Sequence, residues 1–298
     1  MQRRRNSFAA FLAITLFGFT ALVSNATEKV TINVNPENAT SVYAQQLLTQ
    51  ALVGSEQFEL EVSNLQQPIK RDLDMLKFNE LNIVWHPTNR QLEKELLAVR
   101  IPIAKGLLGY QSIIVKQSRL AEFNLNNQRR LLETLSFGAQ RGKADQHVYV
   151  SAGLSGVYSS NEQTLIHMLE GDRFDYLPTS TFRAQQLILN NPQLKLAIVP
   201  DLVMSFVKPI YFFVNRDNPV LAALLQERLE EMVNSGQLDD LLNQQVFAAH
   251  TINKLNSEKL VAIELNNPIL PEQTPIAVTK YWYQFELNSG NQTLLSSL

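Results

Sequence analysis

Three strand-to-helix units follow one another between Lys29 and Gln91, and that succession leaves few folds open. Lys29–Asn35 alternates apolar and polar residues as a half-buried strand does, and Pro36 ends it. Ser41–Val53 places Tyr43, Leu47, Leu48, Ala51 and Leu52 at helical spacing, and Gly54 closes it. Phe58–Val62 alternates strictly, and Pro68 opens a short helix to about Leu76. Leu81–Trp85 is apolar and partly β-branched, as in a strand packed on both faces, and it runs straight into a helix start. This order implies a mostly parallel sheet with helices on its faces. Ligands of such sheets sit outside the carboxyl ends of the strands. Asn35 and the run Trp85–Arg90 lie at those ends.

The last of these ends carries the most chemistry. Thr88 and Gln91 have the spacing of a capping box, which makes Thr88 the expected N-cap. Arg90 then stands in the first turn, where the helix end is already positive. A cation fits there if an anion sits between its guanidinium and the free N–H groups. A surface pair with Glu93 accounts for Arg90 without any ligand. Trp85 reads either as core or as a stacking platform. His86 reads either as a donor to an anion or as a packed or solvated side chain.

The rest of the sequence narrows the class. With 298 residues, 45% of them hydrophobic, the chain can build one large or two small domains. A formal net charge of −2 makes no electrostatic case for nucleic acid or a membrane surface. The absence of cysteine excludes disulfides, thiolate metal sites, a cysteine nucleophile and a lipid-modified N-terminal cysteine. The four histidines lack metal-ligand spacing, Gly153-Leu154-Ser155-Gly156-Val157 misplaces the second glycine of a hydrolase elbow, and no cofactor is expected. Residues 1–26 read as a signal peptide. Arg3, Arg4 and Arg5 form a basic start, Phe8–Val23 is apolar but short for a bilayer span, and Ser24-Asn25-Ala26 offers a cleavage site. Cleavage would leave Thr27 first on an exported, soluble protein of the bacterial periplasm.

A second α/β set follows. Tyr110–Lys116 is an expected strand, Ser118–Leu135 a polar helical stretch, and His147–Val150 a short strand. Gly138–Lys143, basic and glycine-bearing, reads as a surface loop or as a source of backbone donors from a second lobe. Ser160 and Gln163 open a helix to Leu169 as a capping box, and Gly171 ends it. Phe174–Pro178 is a brief strand, and Thr179-Ser180-Thr181 caps a helix to Asn190. Strands at Leu194–Val199 and Lys208–Asn215 come next. A helix from Pro219 stops at Gly236, and another runs from Gln237 to His250. The tail from Thr251 is expected to be partly extended and wrapped on the first lobe.

At Arg90 the chain resembles the type II periplasmic solute-binding fold, and more narrowly the bacterial family 3 solute-binding proteins. Three runs carry the likeness: Thr88-Asn89-Arg90 with Ile101-Pro102-Ile103, Gly171–Tyr176, and Tyr211–Val214 followed by the helix to Gly236 and Gln237–Leu241. The resemblance implies a two-lobed α/β clamshell. Lobe one would be 27–115 plus 205–298 and lobe two 116–204, joined by two hinge crossings and closing on a ligand. It implies that Arg90 binds a carboxylate, with Thr88, Trp85, His86, Asn35, Thr179 and Ser180 around the ligand. It also implies a small-molecule solute, a membrane permease or a sensor as partner, and a monomer that is not an enzyme. Two departures stand out. Amino-acid binders of this family carry an acid after the second-lobe strand, where this chain has Thr179-Ser180-Thr181. Trp85-His86-Pro87 replaces their serine-rich stretch. Two rivals share the fold: a dehydratase-type enzyme, for which only His86 offers a base, and a sensory or protein-interaction module without small-molecule transport.

Overall fold

The computed structural model describes residues 27–124 and 127–284. The expected signal peptide lies outside the described residues, as does the chain beyond 284. Among the described residues no helix is long and apolar enough to cross a membrane.

The first half opens β1 (Glu28–Asn33), α1 (Ala39–Leu52), β2 (Phe58–Ser63), α2 (Ile69–Lys77), β3 (Ile83–Pro87), α3 (Arg90–Glu95) and β4 (Leu97–Val99). The chain then crosses over on β5 (Tyr110–Lys116). It continues through a 3-10 helix (Gln117–Asn124), α4 (Gln128–Thr134), β6 (Ser136–Gln140), α5 (Asp145–Ser151), β7 (Ser155–Ser159), α6 (Glu162–Glu170), β8 (Leu177–Ser180) and α7 (Thr181–Leu189). It returns on β9 (Leu196–Ser205) to β10 (Ile210–Val214), and ends with α8 (Pro219–Ser235), α9 (Gln237–Asn243), α10 (Val246–Leu255) and β11 (Val261–Glu264).

Two main sheets result. The first has the order β2-β1-β3-β10-β4, with β1 parallel to β2 and β3, and β10 antiparallel to β3 and β4. The second has the order β11-β9-β5-β8, and β6 and β7 form a small parallel pair beside it. The first core gathers Ile32, Tyr43, Leu47, Val214, Leu225 and Leu229 between the first sheet and its helices. The second gathers Phe137, Tyr149 and Tyr176, whose rings meet edge-on or tilted. Burial of such faces is the main force that fixes the layers.

Several local expectations are corrected. Both capping boxes slip by one residue. Asn89 caps α3 through a bond from Leu92 N at 2.9 Å, and Asn161 caps α6 through one from Gln163 N at 2.7 Å. Asparagine caps at least as well as serine or threonine, so the helix starts where it stands. His147–Val150 is not a strand but the body of α5, because Val148 and Tyr149 bury against the Phe137 cluster at helical spacing. Gly138-Ala139-Gln140 is not loop but β6, and β7 is an unanticipated strand. Each pairs tightly because it has a glycine: a Cβ on Gly138 would stand 2.1 Å from the Phe174 ring, and one on Gly156 2.4 Å from the Phe137 ring. The same glycines break the alternation that marks a strand. The strand expected at Phe174–Pro178 is shifted to Leu177–Ser180, so Thr179 and Ser180 are strand residues, and Ser180 makes no side-chain cap bond to α7. The helix expected from Gln237 to His250 is two helices, α9 and α10.

The tail is the largest correction. It does not wrap only on the first lobe. Val261–Glu264 joins the second sheet, parallel to β9, while Tyr281 and Trp282 bury in the first core. The chain therefore crosses between the two sheets twice more, reaching the second at β11 and returning to the first core through residues 265–280.

Candidate functional site

The carboxyl ends of β1 and β3 face the loop before α5 across a cleft of about 810 Å³. Asn35, Trp85, His86 and Arg90 line it from the first lobe, and Lys143, Asp145, His147 and Ser180 from the second. Lys208, from the return crossing, and Ile269, from the tail, complete the wall. A hollow of about 490 Å³ shares Asn35, Lys143, Asp145, Ser180 and Lys208 and adds Thr179, Arg183 and Glu162. Six of the seven residues expected from sequence thus meet here.

Thr88 does not line either space. It is buried, and its hydroxyl donates to Glu93 Oε1 at 2.6 Å. Glu93 also accepts from Arg100 at 2.6 and 3.1 Å, so it is not the surface partner of Arg90. Arg90 is exposed on the cleft wall. Its Nη1 donates to the Pro268 carbonyl at 2.5 Å, and its backbone N–H to Ile269 O at 3.3 Å. With Leu92 N already bonded to Asn89, the short α3 has little backbone donor capacity left for an anion. Any grip on one falls to the guanidinium, whose fork has five donors.

His86 is held by its neighbour. Its Nδ1 lies 2.7 Å from the Pro87 carbonyl. A carbonyl only accepts, so Nδ1 carries the proton in the neutral ring. Burial pushes its pKa below the ordinary imidazole value. The Pro87 bond opposes this, Lys143 and Lys208 add to it, and Asp145 opposes it. The ring is neutral at pH 7, and Nε2 is an acceptor. Donation from Nε2 to an anion, one of the roles open from sequence, needs a proton that this environment disfavours.

Three features were not anticipated. Lys208 Nζ meets Asp145 Oδ2 at 2.7 Å, both largely buried, and the ammonium also lies 5.7 Å from the Phe206 ring centroid. Asp72 lines the rim and accepts from Asn33 at 2.9 Å and Gln67 at 2.5 Å; burial raises its pKa and those two bonds oppose the rise. Arg183 clamps Glu162 Oε2 through Nε at 3.0 Å and Nη2 at 2.5 Å. No local motif marks these, because the partners Asp145–Lys208, Glu162–Arg183 and Asn33–Asp72 come from different elements, and only Gln67 lies near its partner in sequence. Asn35 Oδ1 is occupied by the Glu37 N–H at 2.9 Å, which leaves its amide nitrogen to face the cleft.

Two sheets, a return strand that lies antiparallel within the first sheet, and a cleft at the strand ends between them decide the architecture. The chain has the type II periplasmic binding protein fold. An ancestral arginine-binding protein bound to arginine superposes with a TM-score of 0.51 at 17% identity, covering 73% of this chain and 98% of that one. The probable amino-acid ABC transporter extracellular-binding protein YtmK of Bacillus subtilis gives 0.56 at 14% identity, covering 74% and 99%. A histidine kinase sensor domain with similarity to periplasmic binding proteins gives 0.54 at 10% identity, covering 74% and 96%. No protein-family model and no curated sequence matches the chain. These solved chains are covered almost whole, and about a quarter of this one extends beyond them.

Proposed function

We propose that this type II periplasmic binding fold serves as an exported solute-binding protein. It takes a small carboxylate-bearing solute between its lobes and presents it, as a monomer, to a membrane permease or a sensor. Removal of residues 1–26 would release it to the periplasm. Binding without chemistry is the reading favoured over a dehydratase, because the solved structures that share this fold are named as binding proteins and a sensor domain; His86 and His147 both line the cleft. The observation that carries the proposal is Arg90. Its guanidinium stands on the wall of the interlobe cleft with a carbonyl, not a carboxylate, as its partner.

A carbonyl leaves the positive charge uncompensated, and a solute carboxylate would supply the missing half of a charge-assisted pair. Arg90→Ala should weaken a carboxylate ligand by tens-fold or more, since truncating one side of such a pair costs about 2–5 kcal/mol. The melting temperature of the empty protein should barely move, because Arg90 is exposed and joins no ion pair among the described residues. Thermal-shift screening against small acids and amino acids would find the ligand, and calorimetry would compare the two proteins. Affinity within about twofold of wild type would remove Arg90 from the site and with it the case for a carboxylate.

A further inference from the structure

Charge is distributed unevenly between the cleft and the rest of the molecule. The whole chain has 26 basic and 28 acidic residues. The main cleft reverses that balance, with Arg90, Lys94, Lys143 and Lys208 against Asp72 and Asp145. Lys208 and Asp145 neutralise each other at 2.7 Å. Asp72 is occupied by the Asn33 and Gln67 amides. Arg90 and Lys94 on the first lobe and Lys143 on the second remain without an ion-pair partner among the described residues. Lys143 acts across the gap, since its charge is one of the causes that depress His86 on the opposite wall.

Among the described residues the second lobe presents no unpaired acid to the cleft for an ammonium, since Asp145 and Glu162 are both paired. The end of β8 presents Thr179 and Ser180, both neutral. In the adjoining hollow Glu162 is already clamped by Arg183. Of the other two acids there, Asp145 is paired with Lys208, and Glu37 is exposed on the first lobe in the turn that leads into α1. A zwitterionic solute would thus gain one anchor and set its ammonium against a field of like sign.

We propose that the solute carries two anionic groups and no ammonium, one group held by Arg90 on the first lobe and the other by Lys143 on the second. This rests on the solute-binding reading and adds its ligand class, a small dicarboxylate. Such a ligand draws the two lobes together, because each cation closes on its own carboxylate. A monocarboxylate satisfies one wall only and leaves the opposing cation unpaired.

Three probes isolate the two claims. Butyrate, glutarate and glutamate share a short carbon chain; glutarate adds a second carboxylate to butyrate, and glutamate adds an ammonium to glutarate. Calorimetry on the full mature chain at low salt should give glutarate at least ~10-fold tighter than butyrate and at least as tight as glutamate. Lys143→Gln should erase most of the glutarate advantage and leave butyrate within about twofold, while Lys143→Arg should restore it. Lys143 is exposed, so unchanged melting of both variants will show that the fold is intact. Raising the salt should weaken glutarate more than butyrate. Glutamate binding ~10-fold tighter than glutarate would overturn the ligand class while leaving solute binding in place. Equal affinity for butyrate and glutarate, or glutarate binding that ignores Lys143→Gln, would overturn the two-anchor assignment. No binding of glutarate at millimolar concentration, beside a stabilising hit from another chemical class in the thermal-shift screen, would overturn the dicarboxylate alone. No hit of any class would sink the solute-binding reading with it.

Discussion

Trp282→Ala tests whether the tail ties the two lobes together. Trp282 is 9% exposed within the first core, and its indole N–H donates to Pro275 O at 3.0 Å. Its ring lies over Gly106, where a Cβ would come within 2.8 Å of Cε3, and the next residue's N–H bonds Lys105 O at 2.9 Å. Beside it Tyr281 and Lys280 both bond Glu230. A buried tryptophan removes roughly 200 Å² from water. At ~25 cal/mol per Å² that is about 5 kcal/mol. An unfolded chain already shields part of this area, which lowers the figure to about 3–4 kcal/mol. The loss falls first on the tail, since β11 keeps its own pairing with β9 and the cores of both lobes keep their helices. The opened state of residues 265–284 should rise by about 10²–10³ in population relative to wild type. Hydrogen exchange would read this directly as lost protection over that segment. The absence of native cysteine allows a spin-label pair at Glu59→Cys and Thr164→Cys, exposed sites on β2 and α6. The interlobe distance distribution of the empty protein should broaden toward longer values in the Trp282→Ala background. If protection near Pro268 and the distance distribution both match wild type while Trp282→Ala lowers the melting temperature, the tail is cladding and not a tie.

Two further outcomes follow from buried polar groups. Tyr43→Phe removes the bond from the Tyr43 hydroxyl to Ile103 O at 2.5 Å inside the first core, and should cost about 1–2 kcal/mol, read as a lower melting temperature; an unchanged melting curve would mean the carbonyl finds another partner. His86 has a folded pKa below the unfolded value near 6.5, so the unfolded chain binds the extra proton between those two values. Stability should therefore fall as pH drops from about 6.5 toward the folded pKa, and His86→Gln should flatten that part of the curve. Parallel curves for the two proteins would show that the ring is solvated.

What the sequence determined by itself was the layer order and the principal cleft wall. Alternation in β1 and β2, the apolar run in β3 and the helical stripe of α1 are local patterns, and the order of three such units dictates a parallel sheet with its working ends at Asn35 and Trp85–Arg90. Tertiary structure decided the rest, because the deciding contacts join residues distant in sequence. Ring packing over Gly138 and Gly156 made strands of two stretches whose glycines hide the alternation. Burial against Phe137 made a helix of the β-branched His147–Val150. The Asp145 carboxylate reached the cleft on that helix and found Lys208 from 63 residues away. The tail, without periodicity, took its course from where Ile263 and Trp282 could be buried, one in each core. Periodicity reports which face of an element is apolar; it does not report which distant surface will cover that face.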